Sequence, residues 1–276
     1  MRAAVAGICL PLAMAAQSLT LTVRSEFLRV DPGGAILAQD ATPQPRELLS
    51  PAVVRNAYAS FLVVVETPRV NYFLFAGSNP ENVFRVAMYR AEFSQHGEDW
   101  IPDVLKPVEL PHFGVIPDPE SLAPRQSARV YLMDVWVPAD APVGRTRLEV
   151  QVKAGTWTVW PMEVRILPPV VPMDRPRSAV PLPDPRLRAD ESATAPLVEF
   201  VERHGQGPAE AAQSPAAGAP RTLREAIRRN AEQDMALART LNAEEAVVAL
   251  KAKMAGAGGG EWYLGVRDWI YRAAAR

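Results

Sequence analysis

Histidines, carboxylates and tryptophans are the residues here whose types could support chemistry, and their spacing is sparse. The chain holds three histidines, His96, His112 and His204. None has a second ligand at the spacing by which a helix or hairpin holds a metal. In "HGED", residues 96 to 99, Glu98 and Asp99 are read as a solvated polar loop, or as contributors to a cation site. "DPESLAP" lacks the alternating oxygen ligands of a calcium loop. There is no G-x-S-x-G elbow and no phosphate-binding glycine loop. Two carboxylates could cleave a glycoside, but nothing in the sequence singles out a pair. No catalytic residue, cofactor or metal ligand is therefore assigned.

Six tryptophans remain as ligand platforms. Sugar rings stack on exposed aromatics through their C–H faces, and nearby carboxylates accept from their hydroxyls. Trp100 is the best placed, beside Glu98 and Asp99. Its other reading is a plug at the end of a core. Trp157 opens a strand beside a turn and is expected to be exposed. Trp136 and Trp160 lie within strands and read as core. The ligand-binding candidates are thus Trp100, Glu98, Asp99 and Trp157.

The elements that must position these residues fall into three compositional zones. Residues 18 to 167 alternate short runs rich in Val, Phe, Tyr and Trp with turn residues. In "LEVQV", Leu148, Val150 and Val152 share one face, the period of a half-buried strand. "KAGT" supplies a glycine for the next tight turn. The run that follows aligns Trp160, Met162, Val164 and Ile166, with Pro161 marking an edge or bulge. "VYLMDVWV" is apolar on nearly both faces and reads as a central strand. Further strands are expected at 19 to 30, 60 to 66, 71 to 76 and 83 to 89, with a bend near Phe27. Gln95 to Gln126, with six prolines, reads as a long irregular crossing between sheets.

Residues 171 to 220 form a Pro/Ala-rich linker, extended and partly polyproline-like. Residues 221 to 276 are helical. Thr222 and Glu225 form a capping box, and Leu223, Ile227, Ala231, Ala238 and Leu241 make one apolar stripe. A second helix follows Asn242. "GAGGG", 256 to 260, breaks it, and a last helix aligns Trp262, Val266, Trp269 and Ala273.

Residues 1 to 15 read as a signal peptide, with Arg2 before an apolar run and a small-residue site at Ala13-Met14-Ala15. Export to the periplasm or the extracellular space is the corresponding expectation. The sole cysteine, Cys9, lies within that leader, so the mature chain would rely on its core without disulfides. A net charge of −1 gives no footprint for nucleic acid. No run is long enough for a transmembrane helix.

"RNAYASFLVVV" at 55 to 65 and "VYLMDVWVPADAPVGRTRLEVQV" at 130 to 152 resemble the N-terminal immunoglobulin-like β-sandwich of secreted bacterial proteins related to glycoside hydrolases. Arg55-Asn56, Phe61, Val137-Pro138, Asp140-Ala141-Pro142, Gly144 and the ending Leu167-Pro168-Pro169 fit. Ala57, Leu62 and Arg145-Thr146-Arg147 depart from the pattern. The resemblance covers about residues 18 to 170 and implies an accessory, binding or scaffolding domain. The chain after Val170 is too short for the barrel of about 200 or more residues that carries hydrolysis in such relatives.

The fold expected is mainly β: an immunoglobulin-like antiparallel sandwich over 18 to 170, the linker, and a small helical C-terminal region. The function expected is that of an exported, non-enzymatic binding or scaffolding protein. Its helical tail, 221 to 276, would meet a protein partner or a second copy. The alternatives are a carbohydrate-binding accessory module, with a polysaccharide as partner, and a glycoside hydrolase whose site the sequence hides.

Overall fold

The computed structural model describes residues 19–38, 40–41, 48–67, 73–172, 219–238, 240–241 and 259–276. The expected leader, most of the linker and the helix after Asn242 lie outside the described residues.

Among the described residues, ten strands form two sheets. They are β1 (Thr20–Ser25), β2 (Ala52–Arg55), β3 (Ala57–Glu66), β4 (Phe73–Ser78), β5 (Arg85–His96), β6 (Asp99–Val108), β7 (His112–Gly114), β8 (Ala128–Val137), β9 (Gly144–Ala154) and β10 (Thr156–Val170). The first sheet runs β1-β3-β8-β5-β6 and the second β2-β10-β9-β4-β7. All named pairings are antiparallel except β2 with β10, which is parallel. The protein is therefore a β-sandwich of immunoglobulin-like character with a mixed second sheet.

Two helices, α1 (Leu223–Ala238) and α2 (Gly259–Ala274), complete the described fold. Gly259 and Gly260 belong to α2, so the glycine break ends earlier than the sequence suggested. Thr222 caps α1 as expected: its Oγ1 accepts from Glu225 N at 3.2 Å. The return bond runs from Arg221 N to Glu225 Oε2 at 2.6 Å, one residue before the usual capping-box donor.

The first sheet is buried on both faces. One face meets the second sheet in a core holding Val63, Tyr131, Met133, Val150 and Val164. The other meets the helices in a second core, where Leu62, Val64, Val130 and Leu132 pack with Leu223, Ile227, Val266 and Ile270. This explains why "FLVVV" and "VYLMDVWV" are apolar on both faces, a pattern that requires cover on each side. Of the residues read as helical stripes, Leu223, Ile227, Ala231 and Val266 are buried on this sheet.

A polar cluster grips the helices within that apolar interface. Asp134 and Ser60, opposite each other in the β3–β8 register, hold Arg229: Asp134 accepts from its Nη2 at 2.6 Å and its Nη1 at 2.9 Å. The guanidinium also lies 3.6 Å from the centroid of the Tyr58 ring. Arg267 of α2 donates to Asp234 at 2.7 Å and to Glu26 at 3.1 Å. Tyr271 Oη donates to Asp234 at 2.7 Å; burial, then the Asp234 charge, pushes its phenol well above the ordinary range.

The stretch Gln95 to Gln126 does cross from the first sheet to the second, but nearly half of it is strand, in β6 and β7, where an irregular run was expected. Its prolines misled the reading because β6 is an edge strand, where a missing N–H faces outward. Pro102 and Pro107 pair with Phe93 and Tyr89, and Asp103 is the extra residue of a bulge. Pro161 follows the same rule. Glu163 N and Arg165 N bond toward the β2 side, so Pro161, in the same phase, lacks its N–H where β2 has not yet begun. The bend at Phe27 is present: β1 ends at Ser25, whose carbonyl accepts from Leu28 N at 3.0 Å.

The Arg55-Asn56 pair fastens the point where the chain leaves β2 for β3. Asn56 adopts a positive φ of 55° and its Nδ2 donates to Val171 O at 2.7 Å. Arg55 Nε reaches Pro168 O at 3.2 Å. Both lock the exit of β10, so the resembling motif has a structural role. Gly144 (φ 150°) and Gly155 (φ 80°) make the turns read from "PADAPVG" and "KAGT".

Candidate functional site

The predicted ligand residues fall on opposite sides of the sandwich. Glu98 and Asp99 are exposed at the β5–β6 hairpin, while Trp100 is partly buried against the core beneath the helices. Trp157 stands on the outer face of the second sheet, 49% exposed. The structure brings Trp100, Glu98 and Asp99 to one hairpin end and leaves Trp157 elsewhere. Beside that hairpin, His96 Nδ1 meets Arg224 Nη2 at 2.9 Å, and its Nε2 lies 3.5 Å from Asp103. Among the described residues no three His, Cys, Asp or Glu side chains group as metal ligands.

The outer face of the second sheet is the open one. In β10 the even residues Met162, Val164 and Ile166 enter the core, so alternation sends Trp157, Val159, Pro161, Glu163 and Arg165 outward. Register then aligns one row across four strands: Phe113 opposite Leu74, Leu74 opposite Lys153, Lys153 opposite Trp157. Phe113 is 75% exposed and Val159, in the next row, 44%. With strands about 4.8 Å apart, the row spans about 14 Å from Phe113 to Trp157. Lys153 Nζ lies 5.6 Å from the centroid of the Trp157 ring. Farther along the strands the face turns ionic, with Arg147 paired to Glu149 and Arg145 to Glu163. The sequence pointed to Trp157 here but missed Phe113, because β7 is too short for a period of two to show.

A second group lies inside the sandwich, under the segment 115–127. Arg90 and Tyr131 are opposite in the β5–β8 register, and Arg129 shares the inner face of β8. Tyr131 stacks on Phe75, with centroids 4.4 Å apart, and meets the His112 ring edge-on at 5.8 Å. Asp118 pairs with Arg129, while Arg90 pairs with Glu92 at 2.7 Å. Burial drives the Tyr131 phenol up to about 12, although Arg129 and Arg90 pull it down. Burial and then those two arginines lower His112. At Glu92 burial is the largest influence and raises the carboxyl, but hydrogen bonds from Lys106 and Arg90 outweigh it and leave it lowered.

An apolar cleft of about 180 Å³ opens beside Gly77, walled by Met88, Met133, Leu148 and Leu110. Ligand pockets usually run from about 300 to 1,000 Å³, so it is too small for an oligosaccharide.

Strands, faces and cleft together define a two-sheet sandwich with helices on one side and an aromatic row on the other. No family model matches the chain. No curated protein matches it either. Among solved structures it is similar to a family 123 glycoside hydrolase from Clostridium perfringens, at 10% identity and a TM-score of 0.38, covering 56% of this chain and 28% of that one. A GH5 xyloglucanase of Bacteroides ovatus gives 10% identity, a TM-score of 0.24 and coverage of 55% and 20%. The PapD-like domain 7 of human CEP192 gives 9%, 0.24, and coverage of 60% and 98%. The chain thus spans under a third of the two enzymes. These likenesses are loose, and the fold assignment rests on the strands and register above.

Proposed function

We propose that the chain is a non-enzymatic accessory domain that holds a glycan strand across the outer face of its second sheet. The observation that carries this reading is the row Phe113, Leu74, Lys153 and Trp157. Two exposed rings about 14 Å apart offer flat faces to the C–H sides of successive sugars. Lys153 between them, and Gln151 in the next row, donate to ring hydroxyls. The Glu149 and Glu163 carboxylates on this face are each engaged by an arginine, whereas hydrolysis needs two carboxyl groups flanking one bond. The reading places the domain outside the cytoplasm, where the leader-like residues 1 to 15 would send it.

Affinity electrophoresis through gels containing soluble polysaccharides tests it. The chain should be retarded by at least one neutral or acidic glycan. Trp157→Ala and Phe113→Ala should each weaken retention by about threefold to tenfold, with Trp100→Ala unchanged. Absence of retardation across the panel, or variants that run like the parent, would refute the glycan platform.

A further inference from the structure

The outer face of the second sheet carries more positive than negative charge. By the β9–β10 register its outward residues include Arg145, Arg147, Lys153 and Arg165 against Glu149 and Glu163. Arg147 and Arg145 are engaged by those two carboxylates, and Arg165 Nε donates to Ser50 O at 3.3 Å. Lys153 differs from all three. It is exposed, no carboxylate among the described residues pairs with it, and its ammonium lies 5.6 Å from the centroid of the Trp157 ring. In the row it stands between the two aromatic rings, one strand spacing of about 4.8 Å from Trp157. The whole chain has a net charge of −1, so it does not attract a polyanion as a body. Selection for charge on this face is local to the row.

We propose that Trp157 and Lys153 form a subsite for one sugar acid, so that the glycan held on this face is a uronate-bearing polysaccharide. The inference rests on the glycan-platform reading above and names the chemistry of its ligand. A neutral sugar stacking on Trp157 would part the ammonium from the ring and offer it hydroxyls alone. A uronate covers the ring with its C–H side and gives the ammonium a carboxylate, in a charge-assisted bond about twice as strong as a neutral one. The 5.6 Å from ammonium to ring centroid is short enough for a single sugar to meet both. The two outward carboxylates are each neutralised by an arginine, so neither stands bare to repel the acid. Gln151, in the next row, donates from Nε2 to Glu149 at 3.0 Å and keeps a second N–H for a sugar hydroxyl.

Affinity electrophoresis of the full chain through polygalacturonate and alginate, each compared with the same polymer after carboxyl reduction, gives the direct test. Reduction keeps the sugar rings and removes the charge. At least one acidic polymer should retard the chain, and its reduced form should bind about twofold to fivefold more weakly, the worth of one exposed ion pair. Lys153→Gln should weaken binding to the acidic form by the same factor and leave the reduced form unaffected, while Lys153→Arg keeps the preference. Added salt should weaken only the acidic interaction. Equal retardation by acidic and reduced polymers, or a Lys153→Gln variant that runs like the parent on the acidic one, would overturn the sugar-acid subsite and leave the platform standing. Retardation by neutral glycans alone would do the same. Acidic binding that survives Trp157→Ala would overturn subsite and platform together, because charge alone would then suffice, and so would a chain that no glycan retards.

Discussion

Replacing Asp134 with alanine isolates the contact that seats α1 on the first sheet. In the folded chain its carboxylate accepts two N–H bonds from Arg229 and, at 2.7 Å, the Ser60 hydroxyl. Asp134 is 2% exposed, and the Arg229 side chain 17%. Removing one member of a buried ion pair typically costs roughly 3–5 kcal/mol, because the other charge stays desolvated. Arg229 keeps some water and its bond to Asn230 Oδ1, at 3.1 Å, so the loss should be about 3 kcal/mol, the lower end of that range. Against a total of about 5–15 kcal/mol for a domain, that is a large fraction. Urea denaturation followed by circular dichroism measures it, with hydrogen exchange of the α1 amides as a local readout. The double variant Asp134→Leu, Arg229→Leu should recover most of the loss, since apolar groups of similar size replace such pairs at little cost. A single variant that loses less than about 1 kcal/mol, the worth of a surface pair, would refute buried docking through Arg229.

Three further outcomes follow from the same geometry. Tyr131 titrates at about 12 when folded and near 10 when unfolded. Its contribution is therefore complete below about pH 10 and fades toward pH 12, by up to about 3 kcal/mol; melting against pH should fall there, and fall less in Tyr131→Phe. Asn56 holds a positive φ, so Asn56→Ala should be less stable than Asn56→Gly by about 1 kcal/mol, although alanine usually outranks glycine. Gly114→Ala would place a Cβ 2.1 Å from Phe73 Cζ. It should displace β7 and reduce glycan retention without touching Trp157.

Much of the sandwich could be read from apolar alternation, and the central place of "VYLMDVWV" from its two apolar faces. What escaped were contacts set by register. Ser60 and Asp134 are polar residues inside otherwise apolar strands, a visible sign that their face meets charge, but only the β3–β8 pairing puts them together under Arg229. Arg90, Tyr131 and His112 are likewise distant in sequence. The prolines of β6 looked like loop residues because edge position is not written in a local pattern. The sequence ranks Trp100 as the better-placed platform, with a core plug as its other reading, and expects Trp157 to be exposed. The helices decide between them, because they cover the side that holds Trp100 and leave the side that holds Trp157 open.

That division leads to a prediction about residues 221–276. If they were an appendage for assembly, a chain ending at Pro220 would keep its sandwich and change only its subunit number. The outer face of the first sheet argues otherwise. Leu62, Val64, Tyr89, Val130 and Leu132 form one apolar surface with Leu223, Ile227, Val266 and Ile270, and Glu26 and Asp134 are buried beside it with arginines from the helices as partners. Truncation would expose that apolar surface, of the kind that drives aggregation when contiguous beyond a few hundred Å². Leu105 N would also lose its bond to Arg221 O, 2.8 Å long, reopening part of the β6 edge. The shortened chain should be insoluble, or expanded with dye-binding apolar surface, and co-expression of the 221–276 segment should rescue it. A soluble, cooperatively melting truncated monomer would show that the helices are dispensable to the fold.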